Sequence, residues 1–252
     1  MLNYEVSGEG SPIVFIHGFL ESNTMWEKIL PALSGIKAFA IELSGHGNSP
    51  ASQADLSIEQ LAKKVIEVLD KEKIDVFSVV GHSLGGYVAL EMGKQLGLQR
   101  CKKIVLLNSH PFEDSEIKKA ERTQVTRIVT TNKSLFIRQA IPNLFRRPED
   151  HPSEVAQLIE EALLMTSETI VLSTLAMRDR HPAENIMELY GENLTVIQGK
   201  HDKLIPFEKM REITCKYRNN FFLLEEAGHM AHIEAFDEVV GLLQLESPKS
   251  KV

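Results

Sequence analysis

The sequence predicts an α/β fold in which a mostly parallel β-sheet is flanked by helices. Short apolar runs rich in Val, Ile and Phe alternate with longer segments of helical period, as is typical of parallel strands buried on both faces. The chain has 252 residues, with 43% hydrophobic and 25% charged side chains. A chain of this length and composition can bury a sizeable core, so no disulfide or metal ion is needed to stabilise it.

Six segments are predicted to be strands, because each is short, apolar and followed by a loop that contains Gly, Ser, Asn or His. In chain order they are Ile13–Ile16, Ala38–Leu43, Val76–Val80, Lys103–Leu107, Leu194–Gln198 and Asn220–Leu224. In a parallel sheet the loops after the strands open at the same edge. Residues in these loops can therefore converge although they are distant in sequence.

An amphipathic helix is predicted between the second and third of these strands. Apolar side chains recur there at steps of three and four residues from Ile58 to Leu69. Ser57 and Gln60 form the pattern of a capping box at its start.

Residues 110–190 have a different pattern, because no strand-like run interrupts a succession of helical segments broken at prolines. These prolines are Pro142, Pro148, Pro152 and Pro182. The clearest helix runs from Val155 to Leu163. Such an insertion is long for a connection, so we expect it to fold as a cap, or lid, over the sheet. The predicted organisation is one core domain, residues 1–109 and 191–252, with a helical cap at 110–190.

Composition and charge exclude several classes of partner. The net charge of -7 argues against nucleic acid as a partner, and the apolar runs are far shorter than the roughly 20 residues that span a bilayer.

The first ten residues include Glu5 and Glu9 and do not have the pattern of a signal peptide. Cys101 and Cys215 lack metal-ligand spacing and are expected to stay reduced. We expect a cytoplasmic protein, either a monomer or a homodimer.

The strongest local motif is Gly81-His82-Ser83-Leu84-Gly85-Gly86, between an apolar strand and a helical run. A sharp turn from strand to helix strains its central residue, and glycines two positions before and after relieve the crowding. Ser83 is therefore the candidate nucleophile. The helix that starts at Leu84 directs its unpaired N–H groups towards an oxyanion formed there.

A serine hydroxyl needs a base, and the base needs a partner that holds its tautomer. Asp202 lies in the loop after the strand Leu194–Gln198, and His229 lies in the loop after the last predicted strand. These two residues are the candidate acid and base.

Other residues compete for these roles. His201 and His232 are alternative bases, and His232 with His229 could form a metal pair, although no Cys or well-spaced carboxylate completes a ligand set. Asp114 and Asp179 are alternative acids, but both belong to the insertion.

The oxyanion hole needs a second backbone donor besides the N–H of Leu84. The loop His17-Gly18-Phe19-Leu20 follows the first predicted strand and offers the N–H of Phe19. His17 is interpreted as a structural residue that bonds nearby backbone, with a direct catalytic role as the alternative.

Together these motifs resemble the α/β-hydrolase family, specifically its compact esterase-like members with a helical cap. The resemblance covers nearly the whole chain and rests on His17-Gly18-Phe19, Gly45-His46-Gly47-Asn48-Ser49, Gly81–Gly86, and Gly199–Pro206 with Gly228-His229. It implies a doubly wound sheet of about seven strands, a Ser83–His229–Asp202 triad with Phe19 and Leu84 as oxyanion donors, and no cofactor. Residues 2–6 resemble the second strand of the family, so the outermost edge strand seen in relatives is expected to be missing.

A serine nucleophile argues against the branches of the family that attack with aspartate. The expected activity is hydrolysis of small or medium carboxylic esters, with C–C bond hydrolysis, lactonase and thioesterase activity as alternatives. The candidate substrate-binding residues are Arg178, Phe136, Phe145 and Met177. Two alternatives stay open: Arg178 could pair with Asp179, and the apolar side chains could form the core of the cap.

Overall fold

The computed structural model describes residues 1–51 and 56–246. Its strands are β1 (Tyr4–Ser7), β2 (Ser11–Ile16), β3 (Ile36–Ile41), β4 (Phe77–His82), β5 (Cys101–Leu107), β6 (Leu194–Gly199) and β7 (Asn220–Leu224). They form one sheet in the order β1-β3-β2-β4-β5-β6-β7. β1 runs antiparallel to β3, and all other neighbouring strands are parallel.

This sheet confirms the predicted fold class. The six predicted strands are present with ends that differ by at most two residues, and the N-terminal segment supplies β1 as the seventh strand. Side chains along the inner strands point alternately to the two faces. In β2, Ile13 and Phe15 pack on one face while Val14 and Ile16 pack on the other. All four are buried, which explains why the inner strands are continuously apolar.

The helices are α1 (Ile58–Lys71), α2 (Leu84–Arg100), α3 (Glu116–Ala140), α4 (Pro152–Leu164), α5 (Ser167–Arg178), α6 (Glu184–Tyr190), α7 (Phe207–Tyr217), α8 (Ala231–Glu234) and α9 (Phe236–Glu246). Helix α1 begins as predicted, because the Ser57 hydroxyl accepts a hydrogen bond of 3.2 Å from the Gln60 N–H. No helix among residues 1–51 and 56–246 is long and apolar enough to cross a bilayer.

Each face of the sheet is covered by its own helices. Helices α1 and α2 pack on one face, in a cluster that also includes Tyr190 of α6 and Met210 of α7. Helix α9 and Trp26 cover the other face. The core is therefore two apolar layers with the sheet between them.

Residues between β5 and β6 form helices α3 to α6, as the proline-broken pattern predicted. A third apolar cluster joins α3, α4 and α5 to Leu20 and Met230, which lie in loops that follow β2 and β7. The helical insertion is therefore packed onto loops at the carboxyl edge of the sheet.

The turn from β4 into α2 is close-packed against β2. A Cβ atom at Gly85 would lie 2.3 Å from the carbonyl oxygen of Ile16, which is backbone and cannot rotate away. A Cβ at Gly241, in helix α9, would meet no atom within 4 Å.

We therefore expect Gly85→Ala to lower the free energy of unfolding by about 1–3 kcal/mol, because a methyl group is forced into a filled space. The matched control, Gly241→Ala, should raise it by roughly 0.5–1 kcal/mol, because alanine favours the helical state. Urea unfolding of both variants measures these changes. A Gly85→Ala variant as stable as the wild type would contradict the packing described.

Candidate active site

Ser83 occupies the turn between β4 and α2 in a strained conformation, with φ 49° and ψ −113°. Strand β5 and the loop after it hold Ser83 there: its N–H donates to the Leu107 carbonyl at 3.1 Å, and the Ser109 hydroxyl donates to its carbonyl at 2.7 Å. A Cβ at Gly81 would lie 2.3 Å from the Gly85 carbonyl oxygen, so both glycines are needed for this turn. Ser83 as a whole residue is half-buried.

Ser83, His229 and Asp202 lie in series at the carboxyl edge of the sheet. The Ser83 Oγ is 3.0 Å from His229 Nε2, and His229 Nδ1 is 2.8 Å from Asp202 Oδ2. A carboxylate only accepts hydrogen bonds, so Nδ1 carries a proton and Nε2 is free to accept one from the serine. The topology thus brings together the three side chains that the sequence singled out.

Asp202 is held as a carboxylate by a full set of donors. Besides His229, these are Asn108 Nδ2 at 2.9 Å, Gln198 Nε2 at 3.0 Å, and the N–H groups of Leu204 at 2.8 Å and Ile205 at 3.1 Å. Burial alone would raise the pKa of Asp202, but His229 and these donors lower it to about 2. The group is therefore ionised across the neutral range.

Two backbone N–H groups near Ser83 have no hydrogen-bond acceptor of their own. Among the described residues, the N–H groups of Phe19 and Leu84 donate to no acceptor. Phe19 lines the same cavity as Ser83, and Leu84 is the first residue of α2. Free N–H groups at this place can receive a developing negative charge.

A buried ion pair joins the loop that carries Phe19 to the turn that carries Ser83. Glu21 and His82 are 4% and 1% exposed, and Glu21 Oε2 lies 2.9 Å from His82 Nδ1. The same carboxylate oxygen accepts from the Gly18 N–H at 2.5 Å. The other ring nitrogen of His82 is 3.0 Å from the carbonyl oxygen of His229.

Both nitrogens of His82 face oxygen acceptors, so both must carry protons and the ring is cationic. Burial opposes this charge, but Glu21 outweighs it and the pKa of His82 is raised. The pKa of Glu21 changes in the complementary direction: burial would raise it, yet His82 lowers it to about 2. The pair is therefore two charges, although the sequence analysis assigned no role to either residue.

The competing residues lie in other environments. His17 accepts from the Leu43 N–H at 3.0 Å and its Nδ1 is 2.8 Å from the Gly18 carbonyl oxygen, so it bonds backbone as interpreted. His201 is exposed, while burial and the neighbouring His82 lower the pKa of His232 to about 3. In the described part of the chain, no three His, Cys, Asp or Glu side chains are grouped as a metal site requires.

The alternative acids are both engaged elsewhere. Asp114 is bound by Arg122 and Arg180, and Asp179 is bound by Arg178. Neither has a hydrogen bond to His229, whose partner is Asp202.

A cavity of about 500 Å³ lies between Ser83 and the helical insertion. Of the four candidate substrate-binding residues, Phe136 and Met177 line it. The structure does not bring the other two to the cavity. Phe145 is fully buried in the core of the insertion, and Arg178 forms two hydrogen bonds of 2.8 Å with Asp179 and one of 3.2 Å with Thr123.

Sequence reasoning missed Glu21 and the role of Asn108. The signal for Glu21 was a carboxylate three residues after Gly18, in a loop at the same sheet edge as His82. The signal for Asn108 was its position directly after β5, beside the strand that precedes Asp202. Each could have been found by asking what partner a buried polar group at that edge requires.

Comparison with known proteins is consistent with this geometry. A family model described as alpha/beta hydrolase fold matches residues 11–236. In the curated collection, the chain is 27% identical to the dihydrolipoyllysine-residue acetyltransferase component of the acetoin cleaving system of Pseudomonas putida. That match covers 94% of this chain but only 63% of the relative.

Solved structures match over nearly the full length of both chains. A thermophilic esterase from Thermogutta terrifontis has a TM-score of 0.90 at 22% identity, covering 97% of this chain and 92% of its own. An enol-lactonase from Burkholderia xenovorans LB400 has a TM-score of 0.88 at 22% identity, covering 97% and 95%. At these identities the likeness establishes the fold alone.

The ion pair predicts a pH-dependent loss of stability in Glu21→Gln. Loss of the carboxylate leaves His82 buried without its counter-charge, so we expect the free energy of unfolding to fall by about 3 kcal/mol. Glu21 has a lowered pKa, so its contribution is complete above its ordinary pKa of 4.5. His82 has a raised pKa, so its contribution is complete below its ordinary pKa of 6.5. The difference from wild type should be largest between these pH values.

Urea unfolding from pH 3 to 9 measures this profile. The matched control is Glu225→Gln, which breaks an exposed pair with Lys200 and should cost only about 0–1 kcal/mol. Equal, pH-independent losses in the two variants would show that the Glu21–His82 pair is not charged.

Proposed function

The chain belongs to the α/β hydrolase fold family, and from this premise we propose that it is a serine hydrolase that cleaves carboxylic esters of small or medium acids. The observation that carries the proposal is the series Ser83–His229–Asp202, with hydrogen-bond distances of 3.0 and 2.8 Å. A serine in this series can lose its proton to an imidazole whose tautomer is held by the carboxylate.

The first half of the reaction forms an acyl-enzyme. His229 Nε2 takes the proton of Ser83 as the hydroxyl oxygen attacks the ester carbonyl carbon. The carbonyl oxygen becomes negatively charged and is stabilised by the N–H groups of Phe19 and Leu84. Asp202 stabilises the imidazolium that forms. His229 then protonates the leaving alcohol, and the C–O bond breaks.

The second half releases the acid. His229 takes a proton from a water molecule as that water attacks the acyl carbon. The tetrahedral intermediate is held by the same two N–H groups, and its collapse returns the proton to Ser83. These steps use only groups of this chain and water.

The cavity supports a substrate of limited size. Its volume is about 500 Å³, and the helical insertion at 110–190 contributes apolar lining through Phe136 and Met177. We assign the insertion the role of a cap that shields the acyl group from water. Phe19 and Leu144 extend the apolar lining.

Hydrolysis of nitrophenyl esters of increasing acyl length, near neutral pH, tests the proposal. We expect turnover of short and medium acyl groups and a decline when the acyl chain outgrows the cavity. Ser83→Ala should lower kcat by at least about 10³-fold, because it removes the nucleophile. The proposal fails if no acyl length is turned over, or if the alanine variant keeps most of the activity.

A second substitution tests the assignment of the acid. Asp202→Asn should lower kcat by about 10⁴-fold with little change in KM, because an amide can hold His229 in the wrong tautomer. The matched control is Asp179→Asn, which removes a carboxylate bonded to Arg178 outside the cavity and should leave kcat close to wild type. A large loss in Asp179→Asn, with none in Asp202→Asn, would reassign the acid.

A further inference from the structure

One wall of the cavity beside Ser83 is polar and carries an excess of positive charge. We call it the cationic wall and define it as Tyr87, Lys118, Arg122 and Lys209, which line the cavity together with two carboxylates, Glu113 and Asp114. The mechanism proposed above uses none of these side chains. Apolar side chains, among them Phe19, Phe136 and Leu144, line the same cavity, so a substrate in it meets both charged and apolar groups.

The wall is continuous through direct contacts. The Lys209 ammonium lies 3.7 Å from the centroid of the Phe112 ring, and that ring stacks on His110 with centroids 5.5 Å apart. His110 Nε2 is 2.9 Å from the Tyr87 hydroxyl. The Arg180 guanidinium lies over the Tyr87 ring at 4.2 Å. The cations at the two ends therefore belong to one surface.

The guanidinium group of Arg122 and that of the buried Arg180 share a single carboxylate. Asp114 alone is shared by Arg122 and by Arg180, whose Nη1 is 2.7 Å away. Arg180 is 6% exposed, and its Nε has no hydrogen-bond partner among the described residues. One carboxylate therefore serves two buried or half-buried guanidinium groups.

The two lysines of the cationic wall, Lys118 and Lys209, differ in their ion pairing. Lys118 is paired with Glu121 at 3.0 Å, and the nearby Glu113 is 4.0 Å from Lys119. Within residues 1–51 and 56–246, no carboxylate lies within 4 Å of the Lys209 ammonium. Lys209 is thus a cation of the wall without an ion-pair partner in the described residues, in a chain whose net charge is -7. Positive potential here runs against the charge of the whole molecule.

Tyr87 presents a free proton to the cavity. The Phe112 N–H donates to His110 Nδ1 at 3.2 Å, while Arg180 Nη2, also a donor, lies 3.5 Å from Nε2; the shorter contact favours the tautomer with its proton on Nε2. Burial and the charges of Arg180, Arg122 and Lys209 lower the pKa of His110 well below its usual range, which keeps the ring neutral. His110 therefore donates to the Tyr87 oxygen. The Tyr87 hydroxyl proton has no acceptor among the described residues and can be donated to a ligand.

We propose that the substrate carries a carboxylate, bound by Lys209, Arg122 and the Tyr87 hydroxyl, at a short distance from the ester carbonyl. This inference rests on the ester hydrolysis proposed above and names the substrate class of that site. Tyr87 follows Ser83 by four residues at the start of α2, so their backbones are about 6 Å apart along the helix. A short aliphatic chain spans that distance.

Two pairs of esters test the inference. Within each pair, the two esters differ only in that a terminal methyl group of one is a carboxylate in the other. Nitrophenyl pentanoate and nitrophenyl hydrogen glutarate place the change in the acyl part. Butyl acetate and 4-acetoxybutanoate place it in the alcohol part. In one of the two pairs, we expect kcat/KM to be about 10- to 100-fold higher for the anionic ester than for the neutral ester. Hydrogen bonds to a charged group contribute a free energy of that size. The preference should weaken at high salt.

Two variants assign the preference to the wall. In Lys209→Met and in Tyr87→Phe the ratio of kcat/KM for the anionic and neutral esters should fall towards one. The matched control is Lys216→Met, because Lys216 also lies over an aromatic ring, Tyr217 at 4.8 Å, on the same helix α7 but outside the cavity. Lys216→Met should keep the wild-type ratio.

Failure of this inference is distinguishable from failure of the proposed function. If the wild type hydrolyses the neutral esters without preferring either anionic ester, or if the preference survives in both wall variants, the carboxylate inference is overturned and ester hydrolysis stands. If no ester is turned over, ester hydrolysis fails. Calorimetric binding of monomethyl glutarate to Ser83→Ala then decides: binding that is lost in Ser83→Ala/Lys209→Met supports the wall, and absence of binding overturns it.

Discussion

The buried ion pair of Glu21 and His82 connects three loops on which the candidate site depends. Glu21 accepts from the backbone N–H of Gly18 in the loop after β2, and His82 precedes Ser83 in the turn after β4. His82 also donates to the backbone of His229 after β7. Two charges that are 4% and 1% exposed are tolerable only with every hydrogen bond satisfied. The relative positions of the three loops are therefore tightly restricted.

Charge is handled in two ways around Ser83. Each buried charge next to the triad has a partner: Glu21 is paired with His82, and Asp202 accepts from five donors. This part of the site is therefore electrostatically complete before a substrate arrives. At the cationic wall, Asp114 is shared by two arginines and Lys209 lies over an aromatic ring, which leaves this wall able to accept an anion from outside. The first arrangement suits preorganised chemistry, and the second suits recognition.

Much of the fold and the series Ser83–His229–Asp202 could be predicted, because the signals are local. Strand period places the sheet, and a parallel sheet brings the ends of β4, β6 and β7 to one edge. The contents of the cavity could not be predicted in the same way. Arg178, the predicted substrate-binding arginine, bonds Asp179 and Thr123 instead. The arginine that lines the cavity is Arg122, which lies in helix α3. Periodicity shows which side chains are apolar or charged and says little about which neighbour each one faces.

The sequence by itself determined the order of strands and helices, the strained serine turn between its glycines, and the convergence of three side chains at one sheet edge. These follow from backbone geometry and from the two- and 3.6-residue periods. Only the tertiary structure decided the charge of His82, the free proton of Tyr87, and the division of the insertion between Phe136 at the cavity and Phe145 in the core. Each of these depends on contacts between segments that are remote in sequence, which local propensity does not encode.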